Sequence, residues 1–181
     1  MVKAGNSKSQ KSNKNKKICK NAGVKKFERT RPPIDSLLHL NYYYGTAIAF
    51  SDKEIDLTKH RKPIVYLKQD MNRLTFEECE KLSIILPVKD LSSFKPKMPM
   101  LRHLKFVSGI IKYLNLNPRY YTNLEILDLS NNEIAKAKDI ESLRGLKKLN
   151  TLYLINNPIA KNEEEIEELQ YRLPDVKIIY N

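Results

Sequence analysis

Tryptophan is absent from this chain of 181 residues, and only five glycines and two cysteines are present. With so few glycines, no glycine-rich loop for cradling phosphates can be found. Cys19 and Cys79 stand far apart with no CxxC spacing, so no disulfide framework is expected and a reducing compartment is. There is no run of eighteen apolar residues, and no membrane span is expected. The first residues are rich in Lys, Asn and Ser and lack an apolar stretch, which argues against a secretory signal. The three histidines, His39, His60 and His103, have neither metal-pair spacing nor a recognisable nucleophile beside them. An enzyme is therefore not expected, nor a cofactor, a metal or a small-molecule substrate. No aromatic signature of an RNA-recognition motif is present, which argues against base-specific RNA reading by this chain alone.

What is present is unevenly distributed. The formal charge is +12, and residues 1–31 hold eleven Lys/Arg against one acid, Glu28. The remaining residues hold 22 basic and 20 acidic side chains and are nearly neutral. Lysines alternating with Asn, Ser and Gln cannot bury enough apolar surface to offset the entropy of ordering, so a disordered basic tail is expected over 1–31. Lys11, Lys14, Lys16, Lys17 and Lys20 are its candidate nucleic-acid contacts, through phosphates. A nuclear address and a merely solubilising segment are equally compatible with this composition. Pro32 and Pro33 end the tail, and IDSLLHLNYYYGTAIAF reads as a capping element over 32–53, a helix with a strand or turn at Gly45.

The second half repeats a phrase. LEILDLSNNEI at 124–134 returns as LNTLYLINNPI at 149–159, with apolar residues at offsets 0, 3, 5 and 10 and Asn at offset 8. Leu101, Leu104, Phe106 and Ile111 fit the same template, with Gly109 in the Asn place. Cys79, Leu82 and Ile84 fit in part, and Ile55 and Leu57 suggest a degenerate copy in KEIDLTKHRKP. This is the leucine-rich repeat. The LxL centre is a short strand whose leucines share one side. The Asn amide serves backbone groups that a tight turn leaves unpaired, and the copies must stack because none can bury its leucines alone. The fold expected is an α/β leucine-rich solenoid of about five repeats over 54–160, with a short parallel sheet on its concave face. Ile140, Leu143 and Leu146 predict a short helix or 3₁₀ segment between repeats. A cap over 161–181 is expected to be a helix with Ile166, Leu169 and Leu173 inward, ended by Pro174, then a final strand.

Strand residues facing away from the leucines are the candidate binding surface. By alternation these are His103, Lys105 and Val107, then Ile126, Asp128 and Ser130, then Thr151, Tyr153 and Ile155. A mixed apolar patch around a tyrosine is the composition of a protein-docking surface.

The stretch NEIAKAKDIESLRGLKKLNTLYLINNPI, followed by YRLPDVKIIY, resembles the short intracellular leucine-rich proteins. Within that group it is similar to the A-prime family of the U2 small nuclear ribonucleoprotein. KEIDLTKHRKP looks like that family's opening repeat, and the interval from Asn157 to Leu173-Pro174 looks like its terminal cap. The resemblance implies a nuclear scaffold of pre-mRNA splicing whose concave face, here Lys105, Asp128, Tyr153 and their neighbours, clasps a helix of an RNA-recognition-motif partner. It also implies that the pair holds a stem-loop of U2 snRNA. Two alternatives stay open: an adaptor like the leucine-rich domain of the mRNA export receptors, and a regulatory subunit of an enzyme such as a protein phosphatase, for which the cytoplasm is as good a compartment.

Overall fold

The computed structural model describes residues 36–59, 67–107 and 109–181. The expectation for the tail, with its five candidate lysines, lies outside these residues, as does His60. Along the described chain run α1 (Leu37–Tyr44), β1 (Glu54–Leu57), α2 (Leu67–Met71), β2 (Lys81–Ile84), β3 (His103–Phe106), β4 (Ile126–Asp128), β5 (Thr151–Tyr153), α3 (Glu163–Arg172) and β6 (Lys177–Ile179). Three 3₁₀ segments lie at Pro118–Tyr120, Ala137–Gly145 and Pro158–Lys161. The six strands form one parallel sheet in chain order. The fold is a leucine-rich solenoid.

Its register follows the apolar alternation. Ile55, Leu82, Leu104, Leu127, Leu152 and Ile178 pair across the sheet in one row. Leu57, Ile84 and Phe106 form the start of the next. All of these except Ile178, which is partly buried, are buried. Burying one such side chain stabilises by roughly 1.5–3 kcal/mol, and each is covered by the residues of its neighbours. Phe94 and Phe106 meet edge to face with ring centroids 5.7 Å apart.

The repeated asparagines do what their position requires. Asn132 and Asn157 are buried. The Asn132 amide donates to the carbonyls of Leu129 at 2.9 Å and Phe106 at 3.3 Å, while its oxygen accepts the Ile111 N–H at 3.2 Å. Asn157 repeats the pattern, donating to Leu154 at 3.1 Å and Leu129 at 2.8 Å and accepting from Ile134 N–H at 3.1 Å. The residue before each one, Asn131 and Asn156, takes a positive φ of 59° and 58°. Asparagine tolerates this left-handed region, so the pair Asn-Asn supplies both the turn and its internal ligand.

The connecting elements match the expectations drawn from spacing. The Ala137–Gly145 segment buries Ala137, Ile140 and Leu143. Helix α3 buries Ile166 and Leu169, with Leu173 buried just beyond it. Its first turn holds Glu163, Glu164 and Glu165, where the helix dipole favours acids. Asn162 caps it by accepting from Glu165 N–H, and the Glu165 carboxylate accepts the Ala137 N–H at 2.7 Å. At the other end, α1 stops at Gly45, whose φ of 67° is left-handed. The Tyr44 hydroxyl donates to the Asp70 carboxylate at 2.7 Å, both groups being buried, which ties α1 to α2. Among the described residues no helix is long and apolar enough to cross a membrane.

Candidate docking face

The side of the sheet opposite the leucines is open, and strand pairing arranges its side chains in rows. One row runs Glu54, Lys81, His103, Ile126, Thr151, Lys177; the next runs Asp56, Ser83, Lys105, Asp128, Tyr153, Ile179. The nine residues inferred from sequence are distributed over the middle of this face. His103, Lys105, Ile126, Asp128, Thr151 and Tyr153 lie in the two rows. Val107, Ser130 and Ile155 follow the ends of β3, β4 and β5. All nine are at least partly accessible, and Lys105 is the most open of them.

Sequence reasoning missed the outer strands of this face. Glu54, Asp56, Lys81, Ser83, Lys177 and Ile179 belong to it by register. The signal for them was present: Ile55 and Leu57, Leu82 and Ile84, and Ile178 are the inward partners, so their neighbours must face outward.

The face is electrically divided. Its first strands carry charges that pair between neighbouring repeats: Glu54 with Lys81 at 3.5 Å, and Lys105 with Asp128 at 3.0 Å. Its last strands carry Thr151, Tyr153 and Ile155, then Lys177 and Ile179, and with Ile126 of β4 this end is richer in apolar side chains. Over the charged strands lies a shallow depression of about 180 Å³ lined by Glu54, Lys81, Ser83, His103, Lys105 and Asp128, among others.

Two aspartates occupy equivalent places and are handled alike. Asp56 accepts from the Thr58 hydroxyl at 2.6 Å and N–H at 2.9 Å. These bonds, with the Lys59 and Lys105 charges, hold its carboxyl below the usual range. For Asp128 burial is the largest influence and pushes the carboxyl up. The bonds from Ser130 and the Lys105 ammonium outweigh it, so the carboxyl titrates below its ordinary value. Both are therefore anions at neutral pH, fixed in place by an Asx turn.

His103 stands in a row with Lys81 and Ile126, and no cluster of three His, Cys, Asp or Glu able to hold a metal occurs among the described residues. Cys79 is buried, and burial pushes its thiol up to about 11, which suits packing rather than nucleophilic work.

No family model matches the chain. Among curated proteins it is similar to the U2 small nuclear ribonucleoprotein A′ of Aspergillus fumigatus, with 26% identity over 132 residues, 71% of this chain. Those residues amount to 49% of the relative, so the chain spans about half the length of the curated protein it matches. Among solved structures it resembles a chain of the Drosophila melanogaster SNF/U2A′ complex, with a TM-score of 0.56 and 21% identity over 71% of this chain and 72% of that one. This second likeness is one of fold.

Proposed function

We propose that the chain is a non-enzymatic leucine-rich scaffold of a nuclear RNA-processing particle, and that the open face of its sheet docks a partner protein. The observation that supports this most is the apolar end of that face. Tyr153 stands there between Asp128 and Ile179 in one row, with Ile126 in the neighbouring row and Ile155 just beyond β5, next to the Lys105–Asp128 ion pair. Aromatic anchors ringed by polar groups are where binding energy concentrates. The likeness to the U2 A′ protein supports splicing as the setting, and the family resemblance read from the sequence suggests a helix of an RNA-recognition-motif protein as the occupant. In this reading the domain organisation is a basic tail at 1–31, a cap at 32–53, repeats at 54–160 and a second cap at 161–181. The tail contacts RNA through Lys11, Lys14, Lys16, Lys17 and Lys20.

The test is affinity purification from nuclear extract, with wild type beside Tyr153→Ala. Recovery of an RNA-recognition-motif protein together with U2 snRNA, reduced about fivefold or more in the variant, is expected for an anchor worth about 1 kcal/mol or more. Recovery of nuclear-pore proteins with polyadenylated RNA would favour an export adaptor instead, and of a phosphatase catalytic subunit an enzyme regulator. An unaltered yield from Tyr153→Ala would remove that residue from the site.

A further inference from the structure

A second surface lies away from the open face, on the segments that lead into β3, β4 and β5. Residues 94–101, 117–124 and 142–149 contain Lys95, Lys97, Arg119, Arg144, Lys147 and Lys148 and no acid. All six are exposed. The body from residue 32 onward has nearly equal numbers of basic and acidic side chains, so this is a local concentration of charge.

The fold brings the three segments together. Asn123 donates to the Pro99 carbonyl at 2.7 Å, joining the second segment to the first. The Lys148 ammonium donates to Asn123 at 2.6 Å, joining the third to the second. Gly145 lies so close to Pro118 that a Cβ there would collide with the proline ring. The segments precede adjacent strands, which in a parallel sheet lie about 4.8 Å apart, so the cations fall along one edge of the sheet. Lys97 and Arg119 border one depression, and Arg144 and Lys147 another, beside Arg172 and Asp175. Glu77 and Glu78 precede β2, and Asp175 precedes β6, so acids bound the strip on both sides.

An aromatic ring sits within it. Tyr120 ends the 3₁₀ segment Pro118–Tyr120, which Asn117 caps by accepting from Arg119 N–H. Its neighbour Tyr121 turns inward and donates its hydroxyl to the Phe94 carbonyl at 2.8 Å. Tyr120 therefore turns outward and remains 39% exposed. The Lys95 ammonium lies 5.9 Å from its ring centroid. Lys97, Arg119 and Tyr120 border a depression of about 220 Å³ together with Pro96, Pro99 and Thr122.

We infer that this strip binds single-stranded nucleic acid, its cations holding backbone phosphates while an unstacked base lies against Tyr120. A cation row alone would suit any polyanion. The accessible ring and the depression beside it, where Pro96, Met98 and Pro99 adjoin Lys97 and Arg119, favour a ligand that offers flat bases as well as phosphates, which is how sequence-tolerant single-strand sites are built. The inference is compatible with the proposed scaffold but uses different residues, so the two fail separately.

The experiment uses the full chain and fluorescence anisotropy with a labelled single-stranded RNA 12-mer, the same 12-mer in a duplex, and heparin. One variant carries Lys97→Gln, Arg119→Gln and Lys148→Gln; a second carries Tyr120→Leu. The tail is intact throughout, so it contributes equally to every protein. The triple variant is expected to flatten the dependence of log affinity on log salt by about 2 units, at about 0.7 per phosphate lost. Tyr120→Leu is expected to weaken the single strand about tenfold, with heparin and duplex little changed. Unchanged salt dependence in the triple variant overturns the inference. So does an equal loss for single strand and heparin in Tyr120→Leu, which would mark a general polyanion surface. Both variants should retain the protein partner that Tyr153→Ala loses.

Discussion

The last two repeats and the first two reach the same strand geometry by different means. From Leu124 to Ile159 every template position is buried, and each turn is closed from within by one asparagine amide. From Ile55 to Leu91 no such asparagine occurs. Leu86 and Leu91 supply the apolar content after β2, and α1 and α2 close the end through Tyr44 and Asp70. Yet Ile55 and Leu82 pair in the same register as Leu127 and Leu152. The strand needs only two inward apolar residues at a spacing of two. How the chain leaves the strand is free to vary, provided that buried backbone groups find partners.

The sharpest way to break this comparison is Asn157→Ala. It leaves the buried Ile134 N–H without its acceptor, while the Leu129 carbonyl keeps the Asn132 amide and the Leu154 carbonyl keeps the N–H of residue 157. The unpaired N–H costs about 1–3 kcal/mol and the two lost amide bonds add about 0.5–1 kcal/mol, so the expected loss is about 2–4 kcal/mol in urea unfolding. A loss under about 1 kcal/mol would mean that the turn does not depend on its amide. Next in size is Tyr44→Phe at the other end. It removes the hydroxyl that donates to the buried Asp70 carboxylate, and about 1–3 kcal/mol is expected by the same measurement. If the first repeats are held mainly by packing, the loss will fall at the bottom of that range.

The smallest effect concerns the open face. Lys105 is half exposed, so Lys105→Ala should change stability at neutral pH by no more than about 1 kcal/mol. Its signature is in titration. A carboxyl whose folded pKa is lowered contributes stability that is present above its ordinary value and lost as pH falls through the folded one. Without Lys105 the Asp128 pKa should rise, and that loss should begin at higher pH. Carbon NMR of the Asp128 carboxyl measures this directly; an unmoved midpoint would assign the lowering to Ser130 alone.

Sequence legibility follows the same division. Where the Asn turn is intact, the strands, the outward row and the 3₁₀ linker could all be read from offsets. Where Pro87 and Lys89 replace the expected Asn and apolar residue, the strand was readable but its outward residues, Lys81 and Ser83, were not drawn into the site. The short helix α2 had no periodic signal over its five residues. The pairing of Tyr44 with Asp70, 26 residues apart, is a product of tertiary folding that no local pattern announces. Likewise the basic strip is dispersed over three segments in sequence and becomes one surface only when the repeats stack.

In the second half of the array the side-chain clasps point one way. Tyr121 reaches back to Phe94, Asn123 to Pro99, Asn132 to Phe106, Ser142 to Leu114, Asn157 to Leu129 and Glu165 to Ala137. Each repeat is thus completed by a residue made roughly 25 positions later. On the ribosome, a newly emerged turn waits with open backbone groups until its successor appears. Helix α3 supplies the last of these clasps through Glu165, so completion of the repeats advances toward the C-terminal side, one repeat behind the growing chain.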